Sequence, residues 1–214
     1  MSVVAIPAEQ HFVLTGMDWQ SYEALLRAVG EHRVFITYDG GRVELMYPSW
    51  EHENRSETIA QLIRAVAEGL GAKVKSGGST TFRREDVDRG LEPDKCFYVR
   101  HEEQVRHKQD IDLSIDPPPD LCVEVEISRR ILDRGAIYAK LGVPELWRDD
   151  GRRLRVMALS AVGVYEEAPH SAAFPSMSVE DLNELLERSA TTDELSWVAD
   201  VREWVRANRG RGAP

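Results

Sequence analysis

Two short apolar runs with carboxylates set into them constrain this chain more than any other feature. Leu91-Glu92-Pro93-Asp94 introduces the first, and the second is Pro119-Asp120-Leu121-Cys122-Val123-Glu124-Val125-Glu126-Ile127-Ser128. Runs of about 4–8 such residues bounded by Pro, Asp or Ser read as strands. Side chains alternate along a strand, so Glu124 and Glu126 share one side while Val123 and Val125 share the other. With the strand after Asp94 alongside, three carboxylates meet on one patch of sheet. Like charges that close repel, and buried carboxylates need a partner or a metal. Hard oxygen ligands suit Mg²⁺ or Mn²⁺ better than zinc. A plainer reading stands beside this one: Asp94 caps a turn, and both glutamates face solvent.

At 214 residues the chain can bury a full core, and 42% hydrophobic with 30% charged residues is ordinary for a globular protein. No run approaches the roughly 18 apolar residues that cross a membrane. The opening residues lack the positive segment of a secretory signal, so a cytoplasmic location is expected. Cys96 and Cys122 each sit inside an apolar run. They read as buried thiols in a reducing compartment, not as a disulfide framework or a zinc site. The net charge of −10 argues against a broad basic surface for nucleic acid. It leaves room for a nuclease whose metal ions neutralise an acidic site.

Along the chain, elements alternate in the manner of an α/β or α+β fold. Residues 1–16 read as an irregular N-terminal arm. Asp18 is placed to cap a helix carrying Trp19, Tyr22, Leu25, Leu26 and Val29 on one face, stopped at Gly30. Asp39-Gly40-Gly41 between apolar runs predicts a hairpin over 33–47. A helix follows over about 50–70, and short strands are expected over 73–75 and 79–83. Residues 84–90 read as a charged loop, and 101–119 as a long polar connection. A helix is expected over 129–141, strands over 145–148, 154–158 and 162–165, and helices from Ser178 and from Thr192. One domain over 17–190 is expected, with the helix and tail of 191–214 belonging to it.

An ordered series of motifs now stands out. It comprises Gly40-Gly41-Arg42-Val43-Glu44-Leu45-Met46-Tyr47-Pro48-Ser49, His52, Leu91-Glu92-Pro93-Asp94 and the run from Pro119 to Ser128. Asp133-Arg134 and Tyr138-Ala139-Lys140-Leu141-Gly142-Val143-Pro144-Glu145-Leu146-Trp147 complete it. The series resembles the Uma-type putative restriction endonucleases, a branch of the PD-(D/E)XK nuclease superfamily, over roughly residues 15–190. The resemblance implies a restriction-endonuclease-like fold, a mixed central sheet flanked by helices with carboxylates converging at one edge. It matches Asp94 to the superfamily's PD aspartate and Glu124 to the acidic member of the (D/E)XK motif, with the Val125 carbonyl and Glu44 as further metal ligands. His52 opens the helix after the Glu44 strand, and a capping role and an active-site role are both open for it. Tyr138 and Trp147 read as core residues.

The chain departs from the superfamily pattern at one position. Where a lysine normally follows the acidic residue by two, this sequence has Glu126. Many Uma-type sequences carry a lysine four positions before the helical tyrosine, and here that position is Arg134. Arginine stabilises negative charge bidentately but does not act as a base. Lys140 faces away from Arg134 on a regular helix, and Lys95 points to the opposite side of its strand from Asp94. The resemblance therefore implies a Mg²⁺- or Mn²⁺-dependent endonuclease acting on DNA, with Asp94, Glu124, Glu126 and Arg134 as its catalytic set. The alternative is an inactive nuclease-fold module for binding or dimerisation. A homodimer is expected in either case. Its surface is sought on Leu154, Val156, Val162 and Val164, and on the stripe of Trp197, Val201, Trp204 and Val205. The same stripe can instead pack on its own domain.

Overall fold

The computed structural model of the protein describes residues 9–30, 34–128 and 130–208. Gln10–Thr15 form β1, an edge strand paired antiparallel with a later strand, so this part of the expected irregular arm is ordered sheet. The rest of the arm, 1–8, lies outside the described residues. Helix α1 (Trp19–Val29) begins where Asp18 accepts a hydrogen bond from the Ser21 amide and ends at Gly30. The hairpin is built from β2 (Phe35–Asp39) and β3 (Arg42–Tyr47). Its two loop residues, Gly40 and Gly41, have φ of 44° and 93°. Both positive values suit a two-residue turn whose twist matches the strands.

Ser49 caps the long helix α2 (Trp50–Leu70) by accepting from the His52 amide. The broken middle section supplies β4 (Lys75–Gly78), β5 (Phe82–Arg84), β6 (Arg89–Leu91) and β7 (Lys95–Tyr98). The expected charged loop over 84–90 therefore ends in a strand: β6 pairs with both β5 and β2, which Gly90 permits by lying flat against the Tyr22 ring. A short helix α3 (Glu102–Val105) interrupts the long polar connection. Then follow β8 (Leu121–Val125), α4 (Arg134–Leu141), β9 (Glu145–Asp149), β10 (Leu154–Leu159) and β11 (Tyr165–Glu167), with α5 (Val179–Arg188) and α6 (Glu194–Asn208) last.

The strands make two sheets. One is antiparallel in the order β1-β3-β2-β6-β5, and the other is mixed, β11-β10-β9-β8-β7-β4. The mixed fold is thus a restriction-endonuclease-like α+β arrangement. At the centre of the second sheet β8 and β9 run parallel, joined through α4. All five residues of β8 are buried. Val123 and Val125 pack with α2, α5 and α6, while Cys122 packs with Ile137, Tyr138 and Leu141 of α4. Both faces are covered, as is usual around parallel pairs. Glu124 therefore points into protein, and the solvent-facing reading does not hold for it.

Helix α4 starts at Arg134, later than the expected 129, because the Asp133 carboxylate accepts from the Ala136 amide and sets the N-cap there. Residues 130–133 precede the helix as a loop whose Ile131 and Leu132 amides bond Glu44 of β3. At the C-terminus, α6 lies against α2. Trp197, Val201 and Val205 are each 1% exposed, and the Trp197 indole donates to the Leu185 carbonyl. That stripe packs on its own domain and is not free to form a dimer surface. Leu154 and Val156 are buried as well, whereas Val162 and Val164 are exposed. Among the described residues no helix is long and apolar enough to cross a membrane.

The α2–α6 contact depends on Gly69. A Cβ added there would stand 2.7 Å from Cβ and Cγ1 of Val205. Gly69→Ala should therefore destabilise the protein by about 1–3 kcal/mol through overpacking, despite the roughly 1 kcal/mol gain in helix propensity. Denaturant unfolding measures the sign, and a more stable variant would refute the close packing.

Candidate active site

The two sheets are joined around the start of α4, where Arg134 reaches Glu124 of β8 and Thr37 of β2 and the preceding loop bonds Glu44 of β3. Asp94 lies immediately before β7, and its Oδ2 accepts from the Val125 amide at 2.6 Å. That bond brings Asp94 beside Glu124, one residue earlier on β8. Asp94 is 2% exposed and Glu124 1%. Glu124 is gripped by Arg134 at the start of α4, with Nε donating to Oε2 at 2.7 Å and Nη2 to Oε1 at 2.5 Å. The Tyr138 hydroxyl, one helical turn on, also donates to Oε1. Arg134 Nη1 donates to Thr37 on β2, and Nη2 donates to the Glu92 carbonyl. Arg134 thus ties the two sheets together.

Glu44, on β3, receives the backbone amides of Ile131 and Leu132 at 3.1 and 2.9 Å, together with His11 Nδ1 at 2.8 Å. These amides come from the loop that precedes α4, so Glu44 fixes the loop's path. His11 belongs to β1, and its other nitrogen lies 2.8 Å from the Ser128 hydroxyl. Glu9, just before β1, bonds Ser128 through both amide and hydroxyl and takes His52 Nδ1 at 2.6 Å. His52 Nε2 then forms an ion pair with Asp94 Oδ1 at 3.0 Å. Finally, Nη2 of Arg130 lies 3.4 Å from Asp94 Oδ1 and 3.8 Å from Glu124 Oε2. A continuous chain of acidic and basic side chains therefore runs Glu44, His11, Glu9, His52, Asp94, Arg130, Glu124, Arg134.

The charge order sets the protonation states. Burial would push the His52 imidazole down, but the Asp94 and Glu9 carboxylates outweigh it and hold its pKa up to about 9. Burial likewise acts to raise Asp94, yet His52 and Arg130 leave it below the usual carboxylate range. Burial raises the Tyr138 phenol, and the Glu124 charge beside it raises it further, so the hydroxyl remains a donor. Glu92, beside this network, is pushed up to about 7 by burial.

The structure brings Asp94, Glu124, Glu44, His52 and Arg134 into this one network. Glu126 it does not: strand β8 ends at Val125, and beyond that end Glu126 turns to pair with Arg148 of β9 at 2.6 Å. The side shared with Glu124 lasts only while the strand does. Glu9, His11, Ser128, Arg130 and Tyr138 belong to the site although the sequence reading gave none of them a role in it. His11 and Val13 alternate with exposed neighbours, a faint strand signal in the arm. The Arg130 signal was a basic residue directly after an acidic strand. A separate buried carboxylate, Glu145, serves the scaffold: Trp147, Ser171 and the amides of Ala172 and Ala173 all donate to it.

As arranged, the described residues contain no group of three His, Cys, Asp or Glu side chains set to hold a metal ion. Asp94 and Glu124 nevertheless offer hard carboxylate oxygens to one position, and that position already attracts a cation, the Arg130 guanidinium. Donor chemistry and stand-in charge both fit a divalent ion of the Mg²⁺ type. Comparison with known families matches residues 19–192 to the model described as Uma2, putative restriction endonuclease. Glu9 and His11 lie before that span. No curated protein matches the chain.

His52 makes stability depend on pH. Its folded pKa of about 9 exceeds the ordinary imidazole value of 6.5, so the native state binds the extra proton between those values. The contribution, about 3 kcal/mol at most, is complete below the lower value and lost as pH rises through the upper one. Melting temperature of the chelator-treated protein should fall across this window, and His52→Gln should flatten the fall. An unchanged slope in the variant would overturn the assignment. Arg134→Ala should cost about 3–5 kcal/mol, because it strands a buried carboxylate. Glu124→Gln in the same chain should recover part of that loss in denaturant titrations.

Proposed function

The chain belongs to the Uma2 family of putative restriction endonucleases, which spans most of its length, and from this premise we propose that it is a metal-dependent endonuclease hydrolysing DNA phosphodiester bonds. The observation that carries the reading is the buried pair Asp94 and Glu124, held side by side at the junction of the sheets with a cationic group between them. Asp94 and Glu124 would hold Mg²⁺ or Mn²⁺, with the Val125 carbonyl as a further oxygen. Once bound, the ion supplies Lewis-acid polarisation of the phosphate and a more acidic water. Glu44, a further ligand by the family resemblance, accepts from two loop amides and His11 and so also places the loop.

The remaining residues prepare this pair. The Val125 amide and His52 aim the two oxygens of Asp94. Arg134 and Tyr138 fix Glu124 in one rotamer, which gives the preorganisation that catalytic electrostatics require. Arg134 has every nitrogen engaged, so its work is structural support of the site. A homodimer belongs to the proposal, since cutting both strands of a duplex takes two sites.

A second reading has its own support. Arginine neutralises the carboxylates from within, Glu126 stands where the superfamily places lysine, and the net charge is −10. These features favour an inactive nuclease-fold module for binding or dimerisation. Cleavage assays separate the two. With Mg²⁺ or Mn²⁺, the purified protein should cut duplex, single-stranded or branched DNA. Asp94→Asn and Glu124→Gln should each lower the rate on the order of 10²-fold or more while melting cooperatively. If the wild-type protein leaves all three substrates intact, the binding-module reading prevails.

A further inference from the structure

The two arginines of the site are held in opposite ways. Arg134 is rooted on the first turn of α4 and engages Glu124, Thr37 and the Glu92 carbonyl. Withdrawing it would leave a carboxylate and a hydroxyl unpaired in the interior, a costly change. Arg130 extends from the loop, and its side chain is only 6% exposed. Its Nη2 touches Asp94 and Glu124 at 3.4 and 3.8 Å, long for charge-assisted hydrogen bonds. Its Nε is buried without any hydrogen-bond partner. Charge holds this guanidinium between the carboxylates, while geometry does little.

A group held by charge alone is displaced by a stronger charge at the same place. A divalent ion drawn to the oxygens of Asp94 and Glu124 competes directly with Nη2 of Arg130. The displaced guanidinium then carries five N–H donors and no carboxylate. A phosphate diester at the same carboxylates is the anion best matched to that planar fork. Arg134 is poorly placed to answer this need, because each of its nitrogens already has an acceptor.

We propose that Arg130 is the catalytic cation of this site: it exchanges with the divalent ion between Asp94 and Glu124, then binds the scissile phosphate, in place of the lysine that the acidic motif lacks. The inference rests on the endonuclease reading above and adds to it the residue that receives the phosphate. No covalent change is involved, since the step trades the contacts of Arg130 with Asp94 and Glu124 for carboxylate–metal and guanidinium–phosphate contacts.

Mn²⁺ and DNA binding test the exchange without any need for turnover. Free Mn²⁺ is counted by electron paramagnetic resonance for the full-length wild type, Arg130→Gln, Arg130→Lys and the double variant Arg130→Gln with Asp94→Asn. Duplex DNA affinity is measured by fluorescence anisotropy in Ca²⁺. Arg130→Gln should bind Mn²⁺ about tenfold tighter than wild type, and Asp94→Asn should abolish that gain. The same variant should bind duplex about tenfold more weakly. Arg130→Lys, which keeps the charge without the fork, should fall between on both scales and guards against a glutamine variant that fails to fold.

Opposite shifts in the two affinities support the exchange. If wild type and Arg130→Gln bind Mn²⁺ equally well, the exchange is wrong while the metal-dependent reading survives. Unchanged DNA affinity overturns the phosphate role. If no form binds Mn²⁺ at millimolar concentration, the metal-dependent reading fails and the exchange fails with it.

Discussion

Everything around the site depends on the buried pair of Glu124 and Arg134. One residue is the penultimate position of the central strand β8, the other the first of α4, and Arg134 reaches across to Thr37 on the other sheet. Strand, helix and second sheet are thereby fixed to one another through a single guanidinium. A buried ion pair of this kind is weak evidence of net stability, since well-packed apolar residues often do as well. What it supplies is position. Glu124 can hold one rotamer beside Asp94 only because two nitrogens and the Tyr138 hydroxyl hold both its oxygens.

The same logic extends outward in alternating charges. Four buried carboxylates, Glu9, Glu44, Asp94 and Glu124, lie near one junction. Side by side and unpartnered they would repel strongly. Each is separated from the next by a histidine or an arginine, and Glu44 is satisfied further by two backbone amides. The expectation that so acidic a cluster requires a metal for stability therefore weakens. The cluster supplies its own counter-ions.

The core pattern was legible because period and turn chemistry agreed locally. Asp18 and Gly30 bound α1, the two-glycine turn joins the hairpin, and the Ser178–Asp181 box opens α5. The convergence of Asp94 and Glu124 was legible from alternation and from the family motifs. What escaped were features decided by tertiary contacts. Strand β1 is mostly exposed, so its burial alternation is faint, and only its pairing with β3 makes it a strand. The start of α4 shifted because Glu44, far away in sequence, takes the amides of Ile131 and Leu132 that a longer helix would have used. Glu126 was misplaced by extending a strand period one residue too far. Arg130 and Glu9 enter the site on loops, where no periodicity marks a side chain's direction.

If Arg130 exchanges with a divalent ion as proposed, placing a cation inside the acidic site has a thermodynamic consequence. While Arg130 lies between Asp94 and Glu124, a divalent ion meets only the fraction of molecules in which the guanidinium has left, and its apparent affinity is reduced by that fraction. A phosphate that captures Arg130 raises the fraction. By linkage, DNA would then strengthen metal binding by the same factor as metal would strengthen DNA binding. This coupling offsets the difficulty posed by a net charge of −10. A protein with little long-range attraction for a polyanion gains affinity only at short range, where cation and phosphate arrive together. Under the proposed exchange, the loosely held arginine would make each of them a condition for the other.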